Sequence, residues 1–357
     1  MGLCCARDRK DKAFHLKQVD EIFKKYDENK NDELEVKELS NFLRDAFPGT
    51  TLSDEEIAAL TAEFDADQNG TIGLNELRAF LRCYDSEQTK MQRKSALVVI
   101  DVQNDFIDGT LANKYNAEQI VPLINKIRDD FDVVVISYDW HPQEHCSFVE
   151  SANAGHVKLK EEEKVGQFKA FEQVTLLDDP DRAGHTQTLY PRHAVMDAEG
   201  AKCHKDLVLK DSDLAIYKGV KPNIDSYSAF FDNCKANDTG LRLMLEENKV
   251  TDVYCCGLVF DICVKSSALH GAELGFRVSV IEDASKPLSE SEVAPTKEVL
   301  SKAGVRVLSA DAAVQEAKQI KEAANMEVKE YIQQVKKHKH AAAVHQKESL
   351  SSHAPAK

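Results

Sequence analysis

Residues 96–106 read ALVVIDVQNDF, a run of apolar and β-branched side chains that stops at the acidic Asp101. A short apolar run bounded by polar residues predicts a buried β-strand. Similar runs recur as far as residue 310, and stretches with helical spacing separate them. Strands that alternate with helices predict an α/β fold of three layers, a parallel sheet between two layers of helices. The predicted strands are Ala96–Val102, Asp132–Tyr138, Asp213–Tyr217, Thr251–Cys256, Phe276–Ile281 and Val305–Leu308.

The ends of the first four predicted strands carry chemically reactive side chains. Ligands bind at the carboxyl ends of parallel strands, where the loops converge. Each residue also has an ordinary interpretation, as a turn residue, a solvated lysine or a core cysteine, and Cys255 and Cys256 are interpreted as inert strand residues. The reactive residues, in strand order, are Asp101, then Asp139 and His141, then Lys218, then Cys263.

Cys263 differs from the other cysteines because the chain is predicted to enter a helix there. The helix dipole and the free N–H groups of a first turn favour a thiolate, and a nearby Lys⁺ lowers the pKa of a thiol further. A nearby carboxylate can accept the thiol proton. Asp101, Lys218 and Cys263 on neighbouring strand ends therefore predict a nucleophilic cysteine that works without a catalytic histidine.

The same region offers donors for a metal ion. Because residues i and i+2 of an extended segment face the same side, Asp139 and His141 can share one ion. Nitrogen and oxygen donors with open positions suit Zn²⁺, Fe²⁺ or Mn²⁺ better than Ca²⁺. The spacing alone is equally compatible with ordinary surface histidines. The candidate ligands are Asp139, His141, His145 and His193.

Residues 65–76, DADQNGTIGLNE, match the calcium-binding loop of an EF-hand at every diagnostic position. Alternate residues of such a tight loop point inward with oxygen atoms, Gly70 permits the turn, and a glutamate at position 12 closes the coordination shell. The predicted calcium ligands are Asp65, Asp67, Asn69, Thr71 and Glu76.

Residues 27–38 repeat the pattern, with Asp32 at position 6 where the motif requires glycine. Aspartate is among the few residues that tolerate a positive φ. The loop is either a second calcium site or a structural partner that binds poorly. Leu34 and Ile72, both at position 8, are expected to pair in a short sheet. The ligands of a first site would be Asp27, Asn29, Asn31, Glu33 and Glu38.

The composition excludes several classes of protein. The 357 residues include 46 Lys and Arg against 61 Asp and Glu, a formal charge of −15, which disfavours general nucleic-acid binding. No apolar stretch is long enough to span a membrane. Nine unevenly spaced cysteines predict reduced thiols and a cytoplasmic location. Homo-oligomerisation is left open.

Composition also divides the chain. The predicted parts are a flexible N-terminus (1–13), a small all-α EF-hand domain (14–84), a linker (85–95), the α/β domain (96–310) and a helical, then disordered tail (311–357). The first residues, MGLCCARDRK, allow myristoylation of Gly2 and palmitoylation of Cys4 and Cys5, with weak membrane contact, although Ala6 stands where Ser or Thr is usual. A plain disordered start is the alternative.

Residues 95–310 resemble the isochorismatase-like cysteine hydrolases, and specifically the nicotinamidases. The motifs that carry the resemblance are IDVQNDF, DWHP, TLYPRHAV, YKG followed by DSYSAF, and CGLVFDICV, in the order found in the family. The charged segment 149–184 departs from the family pattern and is expected to be a surface excursion or a lid.

The resemblance implies a general base, its partner and a nucleophile, which are Asp101, Lys218 and Cys263 respectively. It implies Asp139, His141 and His193 as metal ligands. His145 would be a further ligand, although its spacing from the preceding ligand varies within the family.

The resemblance also places Phe106, Tyr190 and Tyr227 around a flat substrate ring, on which aromatic faces can stack. Tyr190 stands where many relatives have tryptophan. Phe260 is assigned to the substrate site because the resemblance implies a cis peptide bond at Val259–Phe260 and an oxyanion hole formed by the N–H groups of Phe260 and Cys263.

The function implied by the resemblance is hydrolysis of nicotinamide to nicotinic acid and ammonia through a cysteine thioester, with Zn²⁺ (or Fe²⁺ or Mn²⁺) in the hydrolase site. The product would feed NAD salvage, and Ca²⁺ in the EF-hands could modulate the rate. The alternatives are a hydrolase of a related small amide, and a calcium-binding module with an inactive hydrolase body. The intact set of Asp101, Lys218 and Cys263 argues against an inactive body.

Overall fold

The computed structural model describes residues 11–46, 52–85, 90–161, 164–177 and 184–338. The predictions for Gly2, Cys4 and Cys5 and for a disordered tail after residue 338 lie outside these ranges. Among the residues that are described, no helix has the length and apolar character needed to cross a membrane.

A six-stranded parallel sheet forms the centre of the α/β domain and confirms the predicted fold class. Each predicted strand is present. The observed strand ends lie within two residues of the predicted ends, except that the strand Arg277–Lys286 continues five residues past the predicted end at Ile281. From one edge to the other, the strands are Arg306–Leu308, Arg277–Lys286, Asp252–Leu258, Ser95–Ile100, Val133–Asp139 and Leu214–Lys218.

Helices cover both faces of the sheet because its central strands are apolar on both sides. In the strand Ser95–Ile100, Leu97 and Val99 join one core cluster, whereas Ala96, Val98 and Ile100 join the other. The first cluster lies under the helices Ile120–Ile127 and Ala310–Glu322. The second lies under Leu241–Glu247, Lys265–Glu273 and Val293–Lys302. Short helices at Asn104–Ile107 and Val149–Asn153 complete the domain.

The described residues of the segment 149–184, which are 149–161, 164–177 and 184, form part of an excursion on the domain. The strands Gln173–Leu176 and His185–Thr188 pair as an antiparallel hairpin. Apolar side chains of the hairpin pack with those of the preceding loop in a small cluster, which is distinct from the two clusters at the central sheet. The buried members of this cluster are Cys146, Ala152, Val157, Leu159, Phe168, Val174, Leu176 and Leu189.

The N-terminal region contains four helices, Asp11–Tyr26, Val36–Ala46, Asp54–Phe64 and Leu74–Cys83. The strands Glu33–Leu34 and Ile72–Gly73 pair antiparallel, with Leu34 opposite Ile72 as predicted. These are the pairing and the helix order of an EF-hand pair.

Residues 323–338, the last part of the chain that the structure describes, pack against the EF-hand region. After the helix Ala310–Glu322, the strand Met326–Glu327 pairs with Lys90–Met91, which also pairs with Tyr84–Asp85. The helix 328–338 follows and inserts Val328, Tyr331, Ile332 and Val335 into the EF-hand core cluster. The spacing of these four residues gives one apolar face of a helix. The segment predicted as a linker and the helical part of the predicted tail thus both pack against the EF-hand pair.

Candidate active site and calcium loops

Three buried side chains and the half-buried Cys263 meet at the carboxyl ends of the central strands. The ammonium of Lys218 lies 2.9 Å from the Oδ2 atom of Asp101 and 2.9 Å from the Oδ1 atom of Asp139. It also donates to the carbonyl of Ser226 at 3.1 Å and lies 3.7 Å from the sulfur of Cys263. The structure therefore brings together the three residues predicted as catalytic and adds Asp139 to their charge network.

The sheet explains why these residues meet. Asp139 and Lys218 are direct partners in the parallel ladder between their strands. Asp101 follows the neighbouring strand at φ +53°, and Ser137 donates to its Oδ1 atom at 2.8 Å. Gly257 lets the nucleophile strand approach this turn, since a Cβ atom there would lie 2.1 Å from the carbonyl oxygen of Ile100.

The charges of the network compensate one another in the buried site. Burial alone would lower the pKa of Lys218, but Asp101 and Asp139 outweigh it and raise that pKa well above its ordinary value. Burial would raise the pKa of Asp139, yet His141 and Lys218 hold it well below the ordinary value. For Asp101, burial outweighs the effect of Lys218 and raises the pKa to about 6. Asp101 is thus the carboxylate that takes up a proton most easily.

The surroundings of Cys263 favour the protonated thiol in the free protein. Burial raises the pKa of this thiol well above its ordinary value, and the carboxylates of Asp101 and Asp139 add to the effect of burial, while Lys218 opposes it. The sequence analysis considered the helix dipole, a lysine and a carboxylate that accepts the thiol proton, but not the burial of the thiol. The ammonium of Lys218 lies 3.7 Å from the Cys263 sulfur and 2.9 Å from Asp101, so the predicted base is close to the thiol.

One expectation about the nucleophile turn is wrong. The cis peptide bond lies at Leu258–Val259, one residue before the expected Val259–Phe260. The side chain of Phe260 is 2% exposed and belongs to the core cluster under the sheet, so the side chain does not line the cavity, and the oxyanion-hole role of its N–H group stays a prediction. Cys263 lies in a wide helical turn, Phe260–Val264, that precedes the regular helix Lys265–Glu273.

Three of the four predicted metal ligands converge beside this network. One ligand atom each from Asp139, His141 and His193 lies within 4.8 Å of the others, and all three residues are buried. The Nδ1 atom of His141 lies 3.0 Å from the carbonyl of Gly219, and that of His193 lies 2.7 Å from the carbonyl of Pro191. Since a carbonyl only accepts, each Nδ1 carries the proton and each Nε2 is left to bind a metal. The donor set therefore fits a divalent metal.

His145, the fourth candidate, lies in an adjoining group with His141 and Asp225, whose ligand atoms also fall within 4.8 Å. The rings of His141 and His145 stack with centroids 3.9 Å apart. Burial lowers the pKa of His145 to about 3, so its imidazole is neutral. Its Nε2 atom faces the carbonyl of Ile224 at 3.3 Å, and its Nδ1 atom lies 2.8 Å from the hydroxyl of Ser147. Asp225 was missed by the sequence analysis, although it opens the motif DSYSAF seven residues after Lys218. The spacing of one acidic loop residue does not distinguish a ligand from a turn residue.

An apolar cavity adjoins the thiol and the metal donors. Tyr190 and Tyr227 both line it, and their hydroxyl oxygens lie 3.5 Å apart. The ring of Phe106 meets that of His193 edge to face at 5.4 Å. The predicted aromatic residues are thus together, unlike Phe260. The cavity is lined by Phe106, Leu111, Asn113, Asp139, Tyr190, His193, Asp225, Tyr227, Leu258, Val259, Ile262, Cys263 and Leu288.

The second EF-hand loop is folded as a cation site. Oxygen atoms of Asp65, Asp67 and Glu76 lie within 4.8 Å of one another. The carboxylate of Glu76 accepts from the backbone of Ala66 at 2.6 Å and of Gly73 at 2.8 Å, which holds it over the loop. Burial, followed by the neighbouring aspartates, raises the pKa of Glu76 to about 7 against these hydrogen bonds. Asn69 bonds to Asp65 and Asp67, and its side-chain oxygen accepts from Thr71.

The first loop has the same backbone arrangement. Glu38 accepts from the backbone of Glu28 and Glu35, as Glu76 does in its loop. Asp27 accepts from Asn31 and Asp32. Asp32 adopts φ +63°, the left-handed conformation that its position requires. Asn29 accepts from Asn31 as Asp67 accepts from Asn69, whereas Glu33 reaches across to accept from Thr71.

Comparison with known proteins agrees with both halves of this description. The family model for the isochorismatase domain matches residues 95–312, and the model for an EF-hand domain pair matches residues 16–82. The nicotinamidase of Acinetobacter baylyi is 35% identical over 199 residues, which are 56% of this chain and 84% of that protein. The nicotinamidase of Escherichia coli is 34% identical over 192 residues, covering 53% of this chain and 81% of that protein.

Solved structures give the same result. A nicotinamidase of Acinetobacter baumanii superposes with a TM-score of 0.55 at 33% identity, over 63% of this chain and all of that one. A yeast nicotinamidase bound to the inhibitor nicotinaldehyde superposes with a TM-score of 0.54 at 25% identity, over 60% of this chain and 99% of that one. The chain therefore belongs to the isochorismatase family, among nicotinamidase relatives, and carries an EF-hand pair ahead of the family domain.

Proposed function

We propose that this chain hydrolyses nicotinamide to nicotinic acid and ammonia. The observation that carries the proposal is the position of Lys218, whose ammonium lies within 3.7 Å of the Cys263 sulfur and 2.9 Å of Asp101. A half-buried thiol, its base and a cation beside an aromatic cavity suit attack on a planar carboxamide.

The reaction begins with proton transfer from the Cys263 sulfur to Asp101. The resulting thiolate lies beside the Lys218 ammonium and attacks the carboxamide carbon, so a C–S bond forms as the carbonyl π bond opens. Asp101 then gives its proton to the nitrogen, the C–N bond breaks, and ammonia leaves a thioester on Cys263. Asp101 next takes a proton from a water molecule, which attacks the thioester and releases nicotinic acid and the thiol. Tyr190 and Tyr227 hold the ring in the cavity.

Asp139, His141 and His193 would hold a divalent metal, with His145 and Asp225 on the adjoining side. We infer Zn²⁺, or alternatively Fe²⁺ or Mn²⁺, from the mixture of imidazole and carboxylate donors. A metal at this position supplies a Lewis acid for the ring nitrogen of the substrate. The side chain of Gln103 holds Asp139 in place by accepting from its N–H at 2.8 Å and donating to its carbonyl at 2.7 Å.

The direct test is ammonia release from nicotinamide by the purified full chain. We expect activity in the metal-loaded protein and none in Cys263→Ala. Cys234→Ala is the matched control, because Cys234 is a free cysteine outside the cavity. Activity in Cys263→Ala contradicts the nucleophile assignment. A folded, metal-loaded wild type that releases no ammonia from nicotinamide contradicts the substrate.

We further propose that Ca²⁺ binds the second loop and modulates the hydrolase. The exiting helix of that loop, Leu74–Cys83, touches the end of the helix Lys265–Glu273 that follows the nucleophile turn. Arg78 donates to the carbonyl of Glu273 at 3.1 Å, and Arg82 donates to that of Gly275 at 3.0 Å.

The contact is close, and arginines of the exiting helix meet backbone carbonyls and an aromatic ring of the hydrolase domain. Arg82 also donates to the carbonyl of Leu274 and lies over the ring of Phe276 at 4.0 Å. A Cβ atom on Gly275 would lie 3.2 Å from the Cβ atom of Arg78. Cationic side chains stabilise the free carbonyls at a helix C-terminus. Calcium held by Glu76 orders the start of the exiting helix, so we expect calcium to raise activity by steadying the helix behind Cys263.

Calcium titration of kcat/KM tests this coupling. We expect about a fivefold or larger increase in the wild type, the lower end of ordinary coupling between two sites. Arg82→Leu should retain calcium binding but lose most of the increase, whereas Arg44→Leu, whose side chain is 63% exposed, should behave as the wild type. A wild-type rate that is flat across micromolar calcium, with calcium bound, contradicts the modulation.

Nicotinic acid is a precursor that pyridine nucleotide synthesis can use, so we propose that the reaction serves NAD salvage in the cytoplasm. Fractionation of cells that express the full chain, with a Gly2→Ala control, tests this location against lipid-mediated membrane contact.

A further inference from the structure

The excursion on the α/β domain delivers one polar side chain to the active site. Gln187, on the second strand of the hairpin, is 0% exposed. The strand pair is anchored by Val174 and Leu176, which are buried in the small cluster shared with Cys146. Cys146 follows His145 directly, so the hairpin packs on the loop that carries this metal-binding candidate.

The amide of Gln187 is directed at Asp225. Its Nε2 atom lies 2.9 Å from the Oδ2 atom of Asp225, 2.8 Å from the carbonyl of Thr188 and 3.4 Å from the hydroxyl of Tyr227. An ionised carboxylate only accepts hydrogen bonds, so the amide must present N–H to Asp225. The Oε1 atom of Gln187 is buried and has no hydrogen-bond partner among the described residues. A buried oxygen without a hydrogen-bond partner lowers the stability of the folded protein. Packing alone therefore does not explain a glutamine at this position.

Asp225 itself is 3% exposed and is held on both oxygens. The backbone N–H of Ser226 donates to Oδ1 at 2.7 Å, and Gln187 donates to Oδ2. With one donor on each oxygen, the carboxylate cannot rotate freely. A ligand atom of Asp225 lies within 4.8 Å of those of His141 and His145.

We propose that Gln187 is a positioning residue that fixes Asp225 for the metal site. The hairpin is then a wall of the site rather than a lid, because its buried amide completes the outer hydrogen bonds of the metal-binding groups. The proposal rests on the metal site of the proposed function but not on nicotinamide as the substrate. Outer partners of metal ligands commonly contribute 10- to 100-fold in affinity.

The test compares Gln187→Leu with Gln173→Leu in the full chain. Gln173 is exposed on the other strand of the same hairpin and serves as the matched control. Zn²⁺ affinity is measured by competition with a chromophoric chelator, and folding is followed through the fluorescence of Trp140, the single tryptophan. We expect Gln187→Leu to weaken Zn²⁺ binding about 10- to 100-fold and Gln173→Leu to leave it unchanged.

A double-mutant cycle separates positioning from packing. If Gln187 acts through Asp225, then Gln187→Leu should have little further effect on Zn²⁺ affinity in an Asp225→Asn background. If Gln187→Leu does not fold, Gln187→Met carries the same measurements. A folded variant at Gln187 that binds Zn²⁺ within about threefold of the wild type, or effects that add fully in the double variant, would overturn the proposal. Zn²⁺ affinity requires no turnover, so failure of the substrate assignment would be seen separately in the ammonia assay.

Discussion

Replacing Lys218 with methionine should cost the α/β domain stability as well as activity. The ammonium is 2.9 Å from each of two buried carboxylates, and the lysine side chain is 1% exposed. Lys218→Met keeps most of the apolar stem but leaves Asp101 and Asp139 without their shared cation. Removing one partner of a buried ion pair costs about 3–5 kcal/mol, because the other charge is left uncompensated. For a domain of this size, this loss lowers Tm by about 6–20 °C, at roughly 2–4 °C for each kcal/mol.

The assay uses Trp140, the only tryptophan, which lies next to Asp139 in the chain and therefore reports on the α/β domain. Thermal melts of metal-free protein are compared for the wild type, Lys218→Met and Lys202→Met. Lys202 is the control, since its ion pair with Glu199 is 60% exposed on the lysine side and contributes little. Adding Asp101→Asn to Lys218→Met removes one of the stranded charges and should restore part of the Tm. A Lys218→Met protein that melts within about 2 °C of the wild type, a loss of under about 1 kcal/mol, would refute the argument.

Three further predictions follow from charges and backbone angles. Asp101 must be ionised to act as the base, and burial raises its pKa to about 6, so kcat/KM should fall as the pH drops below about 6. A kcat/KM that stays constant down to pH 4.5 would contradict the assignment of Asp101 as the base. Burial opposes ionisation of Glu316, but Arg306 and Arg277 outweigh burial and lower the pKa of Glu316 to about 2. The ionised Glu316 therefore contributes about 3 kcal/mol to the free energy of unfolding above pH 4.5, and this contribution is lost as the pH falls towards 2. Glu316→Gln should therefore lower stability at pH 7 in denaturant titrations and flatten the acid side of the stability profile. Asp32→Gly removes the strain of φ +63° at position 6 of the first loop, so calorimetry should show tighter calcium binding to this loop. Unchanged calcium affinity would mean that the ligand side chains, and not the backbone angle, limit binding.

The sequence analysis succeeded where function depends on local pattern. The β-branched runs predict each strand of the sheet, and parallel strands bring their carboxyl ends to one edge whatever the loops between them do. Asp101, Lys218 and Cys263 could therefore be placed together, as could both EF-hand loops, whose ligands are close in sequence. The backbone strain at Asp32 was predictable for the same reason.

Features that depend on long-range contacts were missed. The pKa of Cys263 is raised first by burial and then by two carboxylates from other strands, and spacing along the chain reveals neither. Asp225 is distinguished from an ordinary loop aspartate only by its burial beside His141 and His145. The pairing of Met326–Glu327 with Lys90–Met91 joins residues more than two hundred positions apart, so composition could describe these segments only as a tail and a linker.

The position of the helix 328–338 indicates that the EF-hand pair acts on its own chain. Amphipathic target helices dock in EF-hand grooves through apolar residues spaced i, i+3, i+4 and i+7, and the helix 328–338 presents Val328, Tyr331, Ile332 and Val335 with this spacing to the EF-hand core. The Tyr331 hydroxyl accepts from Arg93 at 2.7 Å, and Arg93 pairs with Glu63 and with Asp252. Glu63 lies two residues before Asp65, the first predicted calcium ligand of the second loop, while Asp252 begins the strand that leads to Cys263. The helix 328–338 of the same chain therefore packs where a target helix would dock. We expect calcium binding to change the activity of the attached hydrolase domain rather than to recruit another protein. Charged substitutions at Ile332 should therefore alter the calcium dependence of the rate before they create binding to any other protein.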